Sequence, residues 1–101
     1  MNYSVQFTPE ARDQLAQLED YIADKAAASV AACYVDAIVS YCVSLATFPL
    51  RGMRREDLAP GLRITNFRSR VVIAFVVDAS VVTIVGIFYA GQDFETAFLE
   101  E

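Results

Sequence analysis

The sequence predicts an α+β domain: an N-terminal strand, then a helical hairpin packed on an antiparallel sheet whose C-terminal part is a three-stranded meander. Three observations carry that prediction. Residues 3–7 alternate apolar with polar, the period of a strand with one buried face. Residues 9–48 repeat apolar side chains at three- and four-residue spacings, the period of a helix. Residues 62–89 form three β-rich runs separated by two short turns. With 101 residues the chain is expected to be one domain, 1–101, with a core of few layers.

In the first strand Tyr3, Val5 and Phe7 share a face, opposite Ser4 and Gln6. Thr8-Pro9 opens the first helix: the threonine hydroxyl can cap a free amide, and a proline at the first helical position has no amide to leave unsatisfied. Glu10 and Asp13 stand where the helix dipole favours anions. Ala11, Leu15, Leu18 and Ile22 make the buried stripe of a helix ending near Asp24. A second helix, about residues 27–47, carries Val30, Tyr34, Ile38, Tyr41, Leu45 and Phe48 on its stripe, widened by Ala31, Val35 and Cys42. Phe48-Pro49 ends it, because a residue before proline is pushed out of helical angles.

Residues 50–61, with Gly52, Pro60 and Gly61, read as a loop. Strands follow at 62–67, 71–77 and 81–89, with turns at Arg68-Ser69-Arg70 and Asp78-Ala79-Ser80. The run VVIAFVV does not alternate, so both of its faces require burial. One helical hairpin covers one face. The other needs the C-terminal segment QDFETAFLEE, a second copy or another protein.

Composition bounds the function. The chain is 55% hydrophobic with a mean hydropathy of +0.36, above the apolar content of an ordinary soluble domain, which suggests a covered partner surface. Residues 26–48 contain one charge, Asp36, but their alanines and serines and that central acid exclude a membrane span. The start MNYSVQF has no basic region leading into an apolar run, so a cytoplasmic location is expected. Cys33 and Cys42, nine residues apart, fall on opposite helix faces and cannot bridge, which fits a reducing compartment.

Charge is unevenly placed. Residues 51–70 carry six arginines against Glu56 and Asp57, a net +4; the rest holds Arg12 and Lys25 against eleven acids, a net −9. Arg63 and Arg70 can pair with Glu56, Asp57 or a helix acid and so hold the loop to the sheet. As a group, the arginines beside an apolar sheet suit a partner segment that is both acidic and hydrophobic. The candidate partner-contact residues are Arg55, Arg63, Arg68 and Arg70, with Tyr89 and the tail aromatics Phe94 and Phe98. With no histidine, zinc spacing, phosphate loop or nucleophile triad, no cofactor or metal is expected.

Two stretches, FTPEARDQLAQLEDYIA and LATFPLRGMRREDLAPGLRITNF, resemble the RelE/ParE superfamily of type II toxin–antitoxin toxins. The first is similar to that family's apolar strand, Thr-Pro, helix and Tyr-Ile-Ala. The second is similar to the ParE order of Phe-Pro, Gly, Arg and Pro-Gly-Leu-Arg. Phe88-Tyr89-Ala90-Gly91 departs from the His-Gly that follows the last strand in many ParE chains. The resemblance implies a toxin that inhibits DNA gyrase by binding, and a ParD-type antitoxin that wraps it in a hetero-oligomer. It implies neither chemistry of its own, nor direct nucleic-acid binding, nor a membrane.

Two alternatives stay open. One is a RelE-like ribosome-dependent mRNA endonuclease, with Arg63, Arg68, Arg70 and Tyr89 as its site. An acidic remainder opposes that reading, since RNA affinity rests on phosphate neutralisation. The other is an inactive relative retained as an antitoxin-binding protein.

Overall fold

The computed structural model describes residues 3–89. They form β1 (Ser4–Phe7), α1 (Pro9–Lys25), α2 (Ala28–Ser44), β2 (Met53–Arg54), β3 (Leu62–Phe67), β4 (Val71–Asp78) and β5 (Val81–Tyr89). Phe94, Phe98 and Leu99 lie outside the described residues. One sheet contains all five strands in the order β1-β5-β4-β3-β2, with two helices packed on it.

The expected meander is present: β3, β4 and β5 are antiparallel neighbours. The sheet as a whole is mixed, because β1 pairs parallel with β5, from Ser4 opposite Val81 to Phe7 opposite Ile84. The path of the chain explains this. α2 brings the backbone back to where β1 began, with the Tyr3 amide donating to the Ala46 carbonyl at 3.2 Å. A meander of three strands starting there finishes running in the direction of β1.

Local chemistry sets the helix ends. Thr8 caps α1, its hydroxyl accepting from the Ala11 amide at 3.1 Å, with Pro9 following. Ala11, Leu18 and Ile22 are buried and Leu15 packs against them, the predicted stripe. α2 is shorter than its pattern. Ile38, Cys42 and Leu45 are fully buried, whereas Val30 and Phe48, expected on the same stripe, are 50% and 59% exposed. A helix with one charge gives a weak phase, so Val30 points away from the core without a polar residue to mark the change, while Phe48 lies beyond the helix end at Ser44. Cys33 is exposed and Cys42 buried, both as free thiols, and burial pushes the Cys42 thiol up to about 12.

The helix side of the sheet carries Phe67, Val71, Ile73, Phe75, Val82, Ile84 and Ile87. β5 keeps this face along its length through a bulge. Ala74 lies opposite Gly86 and Phe75 opposite Ile84, leaving Val85 extra. Val82 and Ile84 before the bulge, and Ile87 and Tyr89 after it, therefore pack on one core. This is why residues 81–89 do not alternate in sequence.

Beyond Ile84 β5 has no β1 residue beside it. Gln14 of α1 fills that position, its Oε1 accepting from the Ile87 amide at 2.7 Å.

The opposite face is covered in part by the link between β2 and β3, which turn composition marks only as loop. Leu58 and Ala59 lie over Leu62, Ala74 and Phe88, with Ile64, Val72, Val76 and Val85 alongside. Leu62 and Ala74 are almost fully buried as a result. β2 itself lies in the stretch read as loop. Gly52, at φ +86, turns the backbone against β3 so closely that a Cβ there would meet the Ile64 carbonyl oxygen at 2.2 Å.

Replacing Gln14 by Leu keeps α1 apolar on its sheet side but orphans the Ile87 amide. The expected loss is about 1–3 kcal/mol of stability in urea unfolding. Unchanged stability would mean that the bulge does not depend on this bond.

Candidate partner-binding surface

The basic segment is divided by the length of β3. Arg63 enters that strand and Arg68 leaves it, five residues on, or about 16 Å at the rise of a strand. The arginines thus form two groups at opposite ends of the sheet, one beside Tyr3 and one at the β3–β4 turn.

In the group beside Tyr3 the charges are engaged locally. Arg55 donates to both carboxylate oxygens of Asp57, at 3.0 and 2.9 Å, and this bonding holds the Asp57 carboxyl below its ordinary value. Arg54 pairs with Glu56 at 3.1 Å. Arg63 takes neither acid. Its Nε donates to the Arg51 carbonyl at 3.2 Å and its Nη2 to the Leu50 carbonyl at 2.5 Å. Arg63 therefore ties β3 to the link that leaves α2. The expectation that it holds loop to sheet is met through carbonyls rather than through Glu56 or Asp57. Arg51 lies over the rings of Tyr41 and Phe48, at 5.3 and 5.4 Å.

The group at the β3–β4 turn is built differently. Arg68 and Ser69 have φ values of +53° and +60°, and the Arg70 amide closes the turn on the Phe67 carbonyl at 3.2 Å. Two left-handed residues in succession are what tight hairpins favour, but Asn and Gly usually supply them. Here each non-glycine residue carries strain of about 1 kcal/mol. Arg68 is held by aromatic rings, its guanidinium 4.9 Å from the Phe67 ring centre and 5.7 Å from that of Tyr34. Neither Arg68 nor Arg70 makes an ion pair among the described residues.

Tyr34 is the pivot of this end. Its ring meets those of Phe67 and Tyr89 edge-on at 5.9 and 6.2 Å, and Tyr89 also meets Tyr21 at 5.7 Å. The Tyr34 hydroxyl is buried with no hydrogen-bond partner among the described residues. Burial, and then Tyr89, raise its pKa against the opposing pull of Arg68 and Arg70, so the phenol stays neutral. An open cavity of about 400 Å³ beside it is lined by Ser29, Val30, Cys33, Tyr34 and Arg68.

Of the residues singled out from sequence, Arg68, Arg70 and Tyr89 share one end of the sheet, Val71 being paired with Tyr89. Arg55 and Arg63 stand at the other, and Phe94 and Phe98 lie outside the described residues. Sequence reasoning passed over the exposed Phe48, Leu50 and Met53, which helical phase and turn composition had assigned to core or loop. Their large apolar side chains within a glycine-bearing link are the signal that could have found them. No group of three or more potential metal-binding side chains occurs among the described residues, and none of the described helices is long and apolar enough to cross a membrane.

This division predicts different costs. Arg63→Ala should lower stability by about 1.5–3 kcal/mol, the worth of hydrogen bonds from a charged group. Arg68→Ala should stay within about 1 kcal/mol, the worth of an exposed cation–π contact. Equal losses in urea unfolding would contradict the assignment.

Comparison with known proteins agrees with this architecture. Residues 5–94 match the family described as ParE toxin of type II toxin-antitoxin system, parDE. Among solved structures, the chain is similar to one from the chromosomal ParDE toxin–antitoxin system of P. aeruginosa, with a TM-score of 0.76 and 21% identity over 87% of this chain and 96% of that one. It is also similar to one from the RelBE2 toxin–antitoxin complex of Mycobacterium tuberculosis, with a TM-score of 0.62 and 23% identity over 88% and 99%. No curated protein sequence matches. With a family match over most of its length and two helices on a five-stranded mixed sheet, the chain belongs to the ParE toxin family of type II toxin–antitoxin systems.

Proposed function

We propose that this ParE-family toxin acts in the cytoplasm by binding DNA gyrase, with no chemistry of its own, and is neutralised in a hetero-oligomer with a ParD-type antitoxin. The observation that carries this reading is the β3–β4 turn. It offers Arg68 and Arg70 without a carboxylate partner among the described residues, on a strained backbone and a rigid aromatic base. Strain kept at an exposed charged tip is more readily explained by contact with a partner than by folding. Tyr89, at the same end, belongs to this contact surface. Phe94 and Phe98 follow it in sequence and are proposed to extend it. The antitoxin partner is supported by the family and by the toxin–antitoxin assemblies named for both similar structures.

The RelE-like nuclease reading requires cations to converge on one scissile phosphate. Arg63 is engaged with the Leu50 and Arg51 carbonyls, a strand's length from Arg68, which weighs against that reading. An inactive relative that only binds antitoxin would leave supercoiling undisturbed and cleave no mRNA.

The test is a supercoiling assay with purified gyrase and relaxed plasmid. The wild-type chain is expected to stop supercoiling and trap linear DNA. An Arg68→Ala/Arg70→Ala variant that melts like wild type should be roughly tenfold or more weaker. Undisturbed supercoiling together with mRNA cleavage on ribosomes would replace this reading with the nuclease one.

A further inference from the structure

At the far end of the sheet from the strained turn, the link from α2 to β2 presents apolar side chains to solvent. Phe48, Leu50 and Met53 are 59%, 68% and 64% exposed, more than any other large apolar side chain described. Phe48 and Leu50, with Tyr3, Thr47, Pro49 and Arg51, line an open depression of about 530 Å³, and Met53 follows two residues after Arg51 in the chain.

The link is held in this conformation. Arg63 donates to two of its carbonyls, the Arg51 amide bonds the Phe48 carbonyl at 3.3 Å, and Gly52 is pressed against the Ile64 carbonyl. A slack loop would fold its phenylalanine and leucine inward; one pinned at several points displays them. We propose that this depression is the docking surface for an acidic, apolar segment of the antitoxin. The inference rests on the toxin–antitoxin reading above and adds where on the chain the antitoxin sits.

Charge decides the occupant. The only charged residue lining the depression is Arg51, which makes no ion pair among the described residues, whereas Arg54, beyond Met53, is already paired with Glu56. A matching segment brings carboxylates to Arg51 and apolar side chains to Phe48, Leu50 and Met53. A second copy of this chain fits less well. Its exposed acids on α1, such as Asp13, Glu19 and Asp20, stand among other polar residues, with Tyr21 the one large apolar side chain exposed on that helix. The assignment separates the antitoxin surface from the Arg68–Arg70 tip by the length of β3.

The experiment compares wild type with Leu50→Glu/Met53→Glu, changed at two exposed positions, by titration calorimetry against a separately purified ParD-type antitoxin. Antitoxin affinity is expected to fall by roughly 100-fold while gyrase inhibition and the melting transition are retained. Arg51→Gln should weaken binding less and flatten its salt dependence. If the double variant misfolds, Leu50→Ser alone is expected to lower affinity by roughly tenfold. Affinity within threefold of wild type in the folded variants would overturn the site but leave the toxin–antitoxin reading intact. Self-association of the wild-type chain that Leu50→Glu abolishes, with antitoxin binding unchanged, would overturn it in favour of a second copy. A wild-type chain that binds no antitoxin would sink both.

Discussion

Everything in this molecule answers to one constraint: β4 is apolar on both faces and must be covered from both sides. Val71, Ile73 and Phe75 meet the helical hairpin, while Val72, Ala74 and Val76 face the other way. Among the described residues there is no second helical hairpin for that face. The described structure uses the link after β2 instead, laying Leu58 and Ala59 over Leu62, Ala74 and Phe88. Burial on this scale is worth about 25 cal/mol for each Å² of apolar surface removed from water. A cover made of loop must be fixed in place to secure it.

That requirement gives the arginines their separate duties. Arg63 binds two carbonyls of the preceding link, Arg55 closes on Asp57, and Gly52 lets the chain approach β3 closely enough to form an edge strand. Their positive charge is largely a by-product of tying down irregular backbone with strong donors. Arg68 and Arg70 make no ion pair among the described residues. Arg68 stands over Tyr34 and Phe67 on a turn whose backbone angles suit glycine, an arrangement that folding alone does not call for.

The sequence was legible where periodicity and capping act locally. Thr8-Pro9, the stripe of α1, the three strands of the meander and both of their turns follow from spacing and turn chemistry. It was less legible where tertiary contact decides. The parallel pairing of β1 depends on where α2 returns the chain, and the Val85 bulge hides the alternation of β5. In α2, the scarcity of charge removes the phase that would have marked Val30 as exposed, and the helix stops at Ser44, short of Phe48. The net +4 of residues 51–70 was readable as a number, but not its division into two groups. Linear proximity of arginines says nothing of a strand running between them.

The central claim is that the two ends of β3 serve different purposes, one to bind the target and the other to organise the fold and meet the antitoxin. Amide hydrogen exchange on the toxin, alone and with gyrase, tests this most directly. The account predicts that gyrase protects amides at 67–71 and leaves 48–54 unchanged. Protection at 48–54 with none at the turn would contradict it.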